Sequence, residues 1–358
     1  MKRIIAFVLT VMMTVGLLAG CGDGGKEQRV VNVCSWGEYI DESLIGEFEA
    51  QTGIHVNYQT AESNETLYSL LQTGGADFDV IVPSDYMIGR LIDEGMLAEL
   101  DYSAIPNYDL IDPQYKSLSF DPENKYTVPY SWGTVGIIYN TKMVDEPITS
   151  WGAMFDEKYA GQVLMINNSR DALMAALCYL GYDINTDEAQ LTEAFELVKN
   201  AKSKGVYQAF VMDEIFGKME GGNAAIAMYY AGDYLTMLEN NEDLAFVVPE
   251  EGSNWFVDAM CVLKSSQHKD EAMEWINFIA GTDASLANMD YIWYASPNAE
   301  ALAEYPAYYE EQNGEALDQE LYNIMAAPAD VLDRCELYVN LPQETLKYYD
   351  KLWTQLGV

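Results

Sequence analysis

Basic residues and histidine are scarce in this chain. It holds 19 lysines and arginines against 57 aspartates and glutamates, with 2 histidines, so its formal net charge at pH 7 is −38. A surface of this sign repels phosphate groups, and the composition therefore argues against nucleic acids and anionic lipid headgroups as partners. A cation is the natural complement, although an acidic surface also serves solubility.

Familiar catalytic motifs are missing as well. No GxSxG, HExxH or GxxxxGK[ST] pattern occurs in the sequence. His55 falls in a predicted strand and His268 at a predicted helix start, and neither is placed as a general base beside a nucleophile. Asp183–Asp187 imitates the start of a calcium loop, but Glu188 replaces the required glycine, so we interpret it as a helix-capping turn. We therefore expect no enzyme activity, no cofactor and no metal, with an exported enzyme as the alternative.

Cysteine is rare and carries no motif. Cys34, Cys178, Cys261 and Cys335 show neither CxxC nor CxxH spacing, which gives no indication of a zinc or thioredoxin-like site. Most of them stand in apolar contexts and are predicted to be buried thiols. Export would also permit one or two disulfides, whose pairing the sequence does not give.

One long apolar run is present, and it opens the chain. Lys2 and Arg3 precede it, and it is too short for a membrane span, which is typical of a secretory signal peptide over residues 1–20. Leu18–Cys21 resembles the lipobox of bacterial lipoproteins, in which the cysteine is lipidated. Residues 21–29 then form a flexible, glycine-rich tether. We predict an extracytoplasmic protein anchored to the membrane through Cys21; an ordinary cleaved signal is the alternative.

Strand-like runs alternate with segments of helical periodicity from Val30 onward. One series extends to about Ile92 and a second begins after Trp151, which predicts an α/β fold of two lobes, each with a central sheet and flanking helices. Segments 126–140 and 248–264 are expected to cross between the lobes and form a hinge. The predicted lobes are residues 30–133 with 257–299, and residues 134–256 with 300–358. Tyrosine-rich segment 304–322 is expected to form a surface helix.

Aromatic and acidic residues gather where the predicted strands end, which is where open α/β sheets bind ligands. These candidate ligand residues are Trp36, Glu38, Tyr39, Ser84, Asp85, Tyr86, Asn168, Asp171, Tyr230, Trp255, Phe256, Asp258 and Tyr294. A flexible chain of methylenes with ammonium groups would need such a set, because aromatic faces cover the methylenes and carboxylates neutralise the charges. Taken singly, Trp36, Trp255 and Tyr294 fit ordinary core aromatics better, and Asp171 or Asp233 is equally a helix-end carboxylate; their joint position at strand ends carries the argument.

At these residues the chain resembles the spermidine/putrescine-binding proteins of bacterial polyamine ABC importers, from about Val31 to the C-terminus. The matching stretches are Trp36–Ile40, Glu62–Glu65, Pro83–Tyr86, Glu94–Leu97, Pro129–Gly133 and Tyr294–Asn298. The resemblance implies a periplasmic-binding-protein-like fold whose lobes close on the ligand. It also implies delivery to a permease driven by a separate ATPase and no catalysis. We expect the protein to be a monomer.

Residue roles follow from the same resemblance. The residues that would line or flank the amine site are Trp36, Tyr39, Ser84, Tyr86 and Tyr294. Asp258 and Asp171 would each hold an ammonium group. Asn168 stands where other members can have a second carboxylate, and Asp85 or Glu38 is expected to replace it.

Three further positions depart from the family pattern. Tyr230 stands at a tryptophan position, and Phe256 does so too unless Trp255 fills that space by a one-residue shift. Glu336 is our candidate for a polar contact near the C-terminus. These departures leave the choice between spermidine and putrescine open.

Binding proteins of similar fold for other ligands are the remaining alternative. Ferric iron would want tyrosine, histidine and carboxylate ligands at one point, whereas the acids here are distributed among aromatics. An anion would want basic residues at the strand ends, where only Arg170 qualifies. Thiamine, another cationic small molecule, also stays open at this point.

Overall fold

The computed structural model describes residues 28–74 and 77–358. The predicted signal peptide, Cys21 and most of the predicted tether lie outside these residues. Within the described ranges, no helix combines the length and the apolar character needed to cross a membrane.

The strands that the structure describes join in one sheet of ten. Their bounds are β1 (Val30–Trp36), β2 (His55–Ala61), β3 (Val80–Ile81), β4 (Val128–Asn140), β5 (Val163–Ile166), β6 (Tyr207–Val211), β7 (Ile226–Tyr230), β8 (Leu244–Val247), β9 (Ser253–Val262) and β10 (Cys335–Glu336).

Helices cover and connect the strands. Their bounds are α1 (Ser43–Thr52), α2 (Asn64–Gln72), α3 (Asp85–Asp93), α4 (Ser169–Leu180), α5 (Glu188–Ser203), α6 (Glu214–Glu220), α7 (Ala231–Asn240), α8 (Lys269–Ile279), α9 (Thr282–Ile292), α10 (Ala299–Asn313), α11 (Gln319–Met325), α12 (Ala329–Leu332) and α13 (Gln343–Leu356). Short 3-10 helices occur at Tyr102–Ala104, Pro106–Leu110, Pro113–Tyr115, Trp151–Phe155 and Glu157–Tyr159.

Two parallel units flank a central antiparallel pair. The strand order is β2-β1-β3-β9-β4-β7-β5-β6, with β10 on β9 and β8 on β4. Pairs β1/β2, β1/β3, β5/β7 and β5/β6 are parallel, as expected for βαβ units. In the centre, β4 pairs antiparallel with β9 and then, further along, with β7.

The predicted crossings are confirmed by these two long strands. β4 begins beside β9 and ends beside β7 and β8, so it runs from one parallel unit to the other. β9 pairs with β4 and then reaches β3 through Cys261 and Val262, which returns the chain to the first unit. The residue limits of the two lobes stay a prediction.

Local sequence signals set several helix ends. The α1 helix stops at Gly53, whose φ of 69° places it in the left-handed region that favours glycine. Ser63 and Asn168 cap α2 and α4 by accepting hydrogen bonds from backbone N–H groups of the first turn. Asp187 caps α5 in the same way, which confirms the capping turn predicted in place of a calcium loop.

The last third of the chain packs back onto earlier helices. Leu352 and Leu356 of α13 join the cluster that α4 and α5 form around Phe195. Helix α10 carries the predicted tyrosine-rich segment as far as Asn313, and Tyr305 on it is fully buried. The segment is therefore a helix packed through its aromatics over that range.

Each cysteine that the structure describes is a free, buried thiol. The positions are Cys34, Cys178, Cys261 and Cys335. The buried-thiol interpretation is confirmed, and no disulfide links the described residues. Burial raises the pKa of Cys34 to about 11, as expected for a thiol without a nearby cation.

Candidate functional site

A cavity of about 100 Å³ lies where the two parallel units face each other across β9. Its walls come from the ends of β1, β3, β5 and β7, from the first turns of α2, α3 and α4, and from β9. Carboxyl ends of parallel strands meet at this edge in each unit, so the residues that follow the strands line one cavity.

Most of the predicted ligand residues line this cavity. They are Trp36, Glu38, Tyr39, Ser84, Asp85, Tyr86, Asn168, Asp171, Tyr230, Phe256, Asp258 and Tyr294. The two predicted residues that the structure places elsewhere are Trp255 and Glu336. Their binding roles therefore lose geometric support, for reasons that the strand geometry explains.

Trp255 lies on the wrong face of β9. Side chains alternate across a strand, and Asn254, Phe256 and Asp258 all line the cavity. Trp255, one residue out of phase, points to the opposite face. Of the two alternatives left open by the sequence, Phe256 lines the cavity and Trp255 does not.

Glu336 is exposed on the short strand β10. Glu336 pairs with Asn254 of β9. The contact is made by its backbone, since the Glu336 carbonyl accepts a hydrogen bond from Asn254 Nδ2 at 3.0 Å. Two residues further on, Tyr338 lines the cavity and is 3% exposed. The C-terminal residue in the cavity wall is therefore Tyr338 and not Glu336.

Asp258 stands in the middle of the β9 wall and is 3% exposed. Its Oδ2 accepts hydrogen bonds from Trp36 Nε1 at 3.1 Å and from the Tyr39 hydroxyl at 2.9 Å. Its Oδ1 is buried and has no partner among the described residues. Burial raises the pKa of Asp258 to about 6 despite these donors.

Asp171 lies in the first turn of α4 and is 4% exposed. The Tyr230 hydroxyl donates to its Oδ2 at 2.9 Å and the Tyr338 hydroxyl to its Oδ1 at 3.0 Å. Burial raises the pKa of Asp171 to about 6, and both hydroxyl donors oppose that rise. The carboxylate is held in place by residues from two distant parts of the chain.

Asp233, whose role as a helix-end carboxylate or a binding residue the sequence left open, lies in the cavity wall. It lies in the first turn of α7 and accepts a hydrogen bond from the Tyr294 hydroxyl at 2.9 Å. Loss of solvation in the wall raises the pKa of Asp233 to about 7, with further contributions from the charges of Asp213 and Glu38. Asp233 belongs to the cavity, and the helix-end interpretation alone was incomplete.

Asp85, one of the two residues expected to replace the carboxylate that is missing at Asn168, lines the cavity together with Asn168. Asn168 carries a neutral amide, so it brings no negative charge to the cavity. Its Oδ1 caps α4 by accepting hydrogen bonds from the N–H groups of Arg170 and Asp171. Asp85 is 0% exposed; its Oδ1 accepts from the Tyr86 N–H at 2.6 Å, and its Oδ2 has no partner among the described residues. Burial raises the pKa of Asp85 well above its usual range.

Aromatic rings form a continuous wall between these carboxylates. The ring centre of Tyr294 lies 5.2 Å from that of Tyr39 and 6.1 Å from that of Phe256. The ring of Phe256 lies 5.5 Å from that of Tyr230. Gly232 makes room for the wall, because a Cβ atom there would lie 2.4 Å from the Tyr294 ring.

Charge in the wall has one sign. Lysine, arginine and histidine are absent from the described residues that line the cavity. The carboxylates among them are Glu38, Glu62, Asp85, Asp171, Asp213, Asp233 and Asp258. Across the described ranges, no group of three or more histidine, cysteine, aspartate or glutamate side chains is arranged to hold a metal ion.

Several further lining residues were not among the predicted ligand residues. They are Gly37, Ala61, Glu62, Ser63, Asn64, Met212, Asp213, Phe216, Tyr229, Asp233, Asn254 and Tyr338. Asn254 was detectable, because it shares the two-residue period of Phe256 and Asp258. Tyr338 was not detectable, because the pairing of β10 with β9 joins segments far apart in the sequence.

Comparison with known proteins agrees with this geometry. The profile of the bacterial extracellular solute-binding protein family matches residues 43–313. The spermidine/putrescine-binding periplasmic protein of Escherichia coli (strain K12) is 32% identical over 293 residues, which cover 81% of this chain and 82% of that protein. Its counterpart in Salmonella typhimurium is 32% identical over 271 residues, 75% of this chain and 77% of that protein.

Solved structures give the same result. A Listeria monocytogenes structure assigned to a spermidine/putrescine ABC transporter superposes with a TM-score of 0.85 at 37% identity, covering 92% of this chain and 99% of that chain. The spermidine/putrescine ABC transporter substrate-binding protein of Streptococcus pneumoniae gives 0.75 at 33% identity, covering 92% and 98%. The fold is thus the two-lobed fold of periplasmic binding proteins. The chain belongs to the bacterial extracellular solute-binding proteins, within the group of spermidine/putrescine-binding proteins, and is a binding protein rather than an enzyme.

Proposed function

We propose that this protein captures a polyamine outside the cytoplasm and delivers it to the permease of an ABC importer that a separate ATPase drives. The observation that carries the proposal is the charge of the cavity, whose described wall holds seven carboxylates and no basic side chain. A ligand that enters must bring positive charge with it, because buried carboxylates without a counter-ion are costly.

Unmet hydrogen-bonding capacity supports the same ligand class. Asp85 Oδ2 and Asp258 Oδ1 are buried acceptors without donors among the described residues. Native proteins rarely leave such atoms unpaired, so each calls for a donor from outside the chain. An ammonium group supplies both the hydrogen and the charge, and amines with pKa values near 10 carry it at neutral pH.

The aromatic wall suits the rest of the ligand. Methylene groups between two ammonium groups need apolar cover, which the rings of Tyr39, Tyr294 and Phe256 provide along one side. The same rings attract the neighbouring positive charges, each contact contributing about 0.5 to 2 kcal/mol. A polyamine has both parts, whereas a bare metal ion has only the charge.

Residues from both parallel units would contact the ligand together. Trp36 and Ser84 belong to the first unit, Asp171 and Tyr230 to the second, and Asp258 to the strand that joins them. A ligand that binds both sides stabilises the closed arrangement of the lobes, which we propose the permease recognises.

Titration calorimetry of the purified protein tests the proposal. Putrescine, cadaverine, spermidine and spermine are titrated in parallel, with thiamine and ferric citrate as ligands of other classes. Saturable one-to-one binding of a polyamine, with micromolar or lower Kd, is the expected result. Binding of thiamine or ferric citrate without any polyamine response would contradict the proposal.

We also propose that Cys21 carries a lipid that holds the protein, as a monomer, at the outer face of the cytoplasmic membrane. Leu18–Cys21 and the glycine-rich stretch after it support this. Metabolic labelling with a fatty acid is expected to mark the native protein and not Cys21→Ala. Equal labelling of both proteins would exclude Cys21 as the anchor.

A further inference from the structure

Arg170, the basic residue that the sequence places at a strand end, is buried beside the cavity without a carboxylate partner. It is 2% exposed and is not among the described residues that line the cavity. Its Nε and Nη1 have no hydrogen-bond acceptor among the described residues, and its Nη2 donates to Asn185 Oδ1 at 3.4 Å. Burying a charge without a counter-ion is costly, so this guanidinium calls for an explanation.

Two other arginines follow the ordinary rule. Arg29 pairs with Glu271 at 2.8 Å, and Arg90 pairs with Glu94 at 3.1 Å. Arg170 differs further because it lies in the first turn of α4, where the helix dipole disfavours a cation. Burial, the missing carboxylate and the helix end all oppose a positive charge here. Residues that break local rules in this way are typical of functional positions.

Tyrosine rings surround the guanidinium instead. Its carbon lies 4.4 Å from the ring centre of Tyr338, 5.0 Å from that of Tyr86 and 5.3 Å from that of Tyr349. Tyr86 belongs to α3, Tyr349 to α13, and Tyr338 follows β10. A cation this close to a ring is attracted to it, and more strongly where water is excluded. The guanidinium therefore holds together rings from three separate parts of the chain.

Two of these rings belong to the cavity wall. Tyr86 and Tyr338 both line the cavity, and their ring centres lie 5.9 Å apart. The Tyr338 hydroxyl donates to Asp171 Oδ1 at 3.0 Å, and the Tyr86 hydroxyl donates to Glu65 Oε1 at 2.9 Å. Arg170 thus contacts the wall from outside the cavity, and its loss would free the ring that carries a donor to Asp171.

Arg170 also acts on Asp171 through its charge. Burial raises the pKa of Asp171 to about 6, and the hydroxyls of Tyr230 and Tyr338 oppose that rise. The charge of Glu65 adds to the rise, whereas the charge of Arg170 opposes it. Without Arg170, Asp171 would therefore be harder to ionise.

The other titratable groups around Asp171 are carboxyl groups and tyrosine hydroxyls. They are Glu65, Asp85, Tyr86, Tyr230, Asp258, Tyr338 and Tyr349. Negative charges among them make a further negative charge at Asp171 less favourable. Within the described part of the chain, Arg170 is the cation of this neighbourhood, and a bound ligand would bring the next one.

We propose that Arg170 is a positioning residue of the binding site, which acts on the ligand carboxylate Asp171 through its charge and through the ring of Tyr338. This rests on the proposed function, and it names what sets the pH range of that site. Arg170 stays behind the wall, so it favours the carboxylate form of Asp171 without taking the place of the ligand's ammonium group. Its benefit is largest where Asp171 is partly protonated and disappears at a pH where Asp171 is ionised in any case.

Arg170→Met tests the proposal through the dependence of affinity on pH. Methionine keeps an unbranched apolar chain and removes the charged, planar group. Titration calorimetry gives the Kd of spermidine for the native protein and the variant at pH 6 and pH 8.5. We expect the variant to bind about fivefold more weakly at pH 6 and within about twofold of the native protein at pH 8.5. An equal loss at both pH values, or no loss at pH 6, would overturn the proposal.

Two further variants separate charge from packing. Arg170→Lys keeps the charge and should retain more of the native pH dependence than Arg170→Met; identical profiles for the two variants would exclude the charge as the cause. Arg90→Met is the matched control, because the Arg90 guanidinium carbon lies 3.6 Å from the ring centre of Tyr68, outside the cavity. Its pH profile should equal that of the native protein, and a shift like that of Arg170→Met would contradict a local role for Arg170.

Carboxyl-carbon NMR of the ligand-free protein tests Arg170 without any polyamine. Asp171 is expected to titrate below Asp233, whose charged neighbours are Asp213 and Glu38. In Arg170→Met the midpoint of Asp171 should rise while that of Asp233 stays unchanged. In the native protein, titration of Asp171 at or above the pH of Asp233 would overturn the proposal even if the variants do not fold. Failure of the native protein to bind any polyamine would instead contradict the proposed function.

Discussion

Two buried aspartates, six residues apart around β3, differ in how fully their oxygens are used. Asp79 is 1% exposed and accepts hydrogen bonds from the Asn32 N–H at 2.8 Å, the Asn32 side-chain amide at 3.0 Å and the Ser266 hydroxyl at 2.6 Å; His268 Nδ1 lies 3.1 Å from its Oδ2. Asp85 is 0% exposed and accepts one bond, from the Tyr86 N–H.

The difference separates a structural carboxylate from a binding one. Asp79 joins β1 to the segment before α8, and its acceptors are all met inside the chain. Asp121 is alike, because the N–H groups of Lys125 and Tyr126 and the Thr127 hydroxyl satisfy it. In the cavity, Asp85 and Asp258 each keep an oxygen without a donor. Among these four buried aspartates, burial and charge therefore do not separate the cavity residues from the structural ones, whereas an oxygen without a donor does.

Removing a binding carboxylate should produce the largest effect on affinity. Asp258→Asn is expected to weaken polyamine binding by about a hundredfold, because it leaves an ammonium in the cavity without its counter-charge. Titration calorimetry measures the loss. Thermal unfolding of the empty variant should match or exceed that of the native protein, since a buried charge is removed. An unchanged Kd would take Asp258 out of the site.

Removing the structural carboxylate of Asp79 should lower stability and leave polyamine affinity almost unchanged. Asp79→Asn is expected to lower the free energy of unfolding by about 2 kcal/mol, because an amide group cannot accept from all the donors that now converge there. Denaturant titration measures the change, while polyamine affinity of the folded variant should stay within about twofold. A large loss of affinity with unchanged stability would contradict the division between the two aspartates.

Acid should shift stability and affinity in opposite directions. The pKa values of Asp171 and Asp258, about 6 in the empty protein, lie above the unfolded value near 4. Their contribution to stability is therefore fully present below pH 4 and is lost as the pH rises through about 6. Ligand binding needs the charged forms, so affinity should fall by about tenfold or more from pH 7.5 to pH 5.

Melting curves and calorimetric titrations at both pH values check this prediction. Asp258→Asn serves as the control, since it should show a smaller dependence on pH in both measurements. Affinity that does not change between pH 7.5 and pH 5 would mean that neither carboxylate contacts the ligand in its charged form.

The smallest expected effect concerns a hydroxyl that supports Asp171. Tyr338→Phe removes the donor to Asp171 Oδ1 and keeps the ring beside Tyr86. The carboxylate becomes harder to ionise, so affinity should fall about threefold at pH 7.5 and further at pH 6. Tyr305→Phe, a buried tyrosine away from the cavity, is the matched control for loss of a hydroxyl. Equal behaviour of the two variants would contradict a role for Tyr338 in positioning Asp171.

Local patterns were enough to predict much of the fold. The predicted capping turn at Asp183–Asp187 starts α5, and the apolar run Val163–Ile166 coincides with β5. Strand β3 is shorter than its apolar run suggested, because only Val80 and Ile81 pair with neighbouring strands. Neighbours in the sheet decide such limits, and a single sequence does not contain them.

The candidate site divides in the same way. Trp36, Ser84 and Tyr230 were predicted because they follow strands whose ends must meet at one sheet edge. Trp255 and Phe256 could not be separated, because the phase of β9 depends on which face its partner β4 presents. A slip of one residue reverses every side chain of a strand, so only the paired sheet settles the choice.

The sequence by itself determined the acidic charge, the α/β alternation, the two crossing strands and the set of aromatic and acidic residues at the strand ends. These features are local, or they are sums over the composition, so they can be read without knowing which segments meet. Tertiary structure alone decided that Asp85 and Asp258 each keep an oxygen without a donor. It also decided that Asn168 Oδ1 caps α4 and that Tyr338, not Glu336, lies in the cavity wall. Each of those facts depends on partners distant in the chain, because hydrogen-bond satisfaction is a property of the folded neighbourhood and not of the residue.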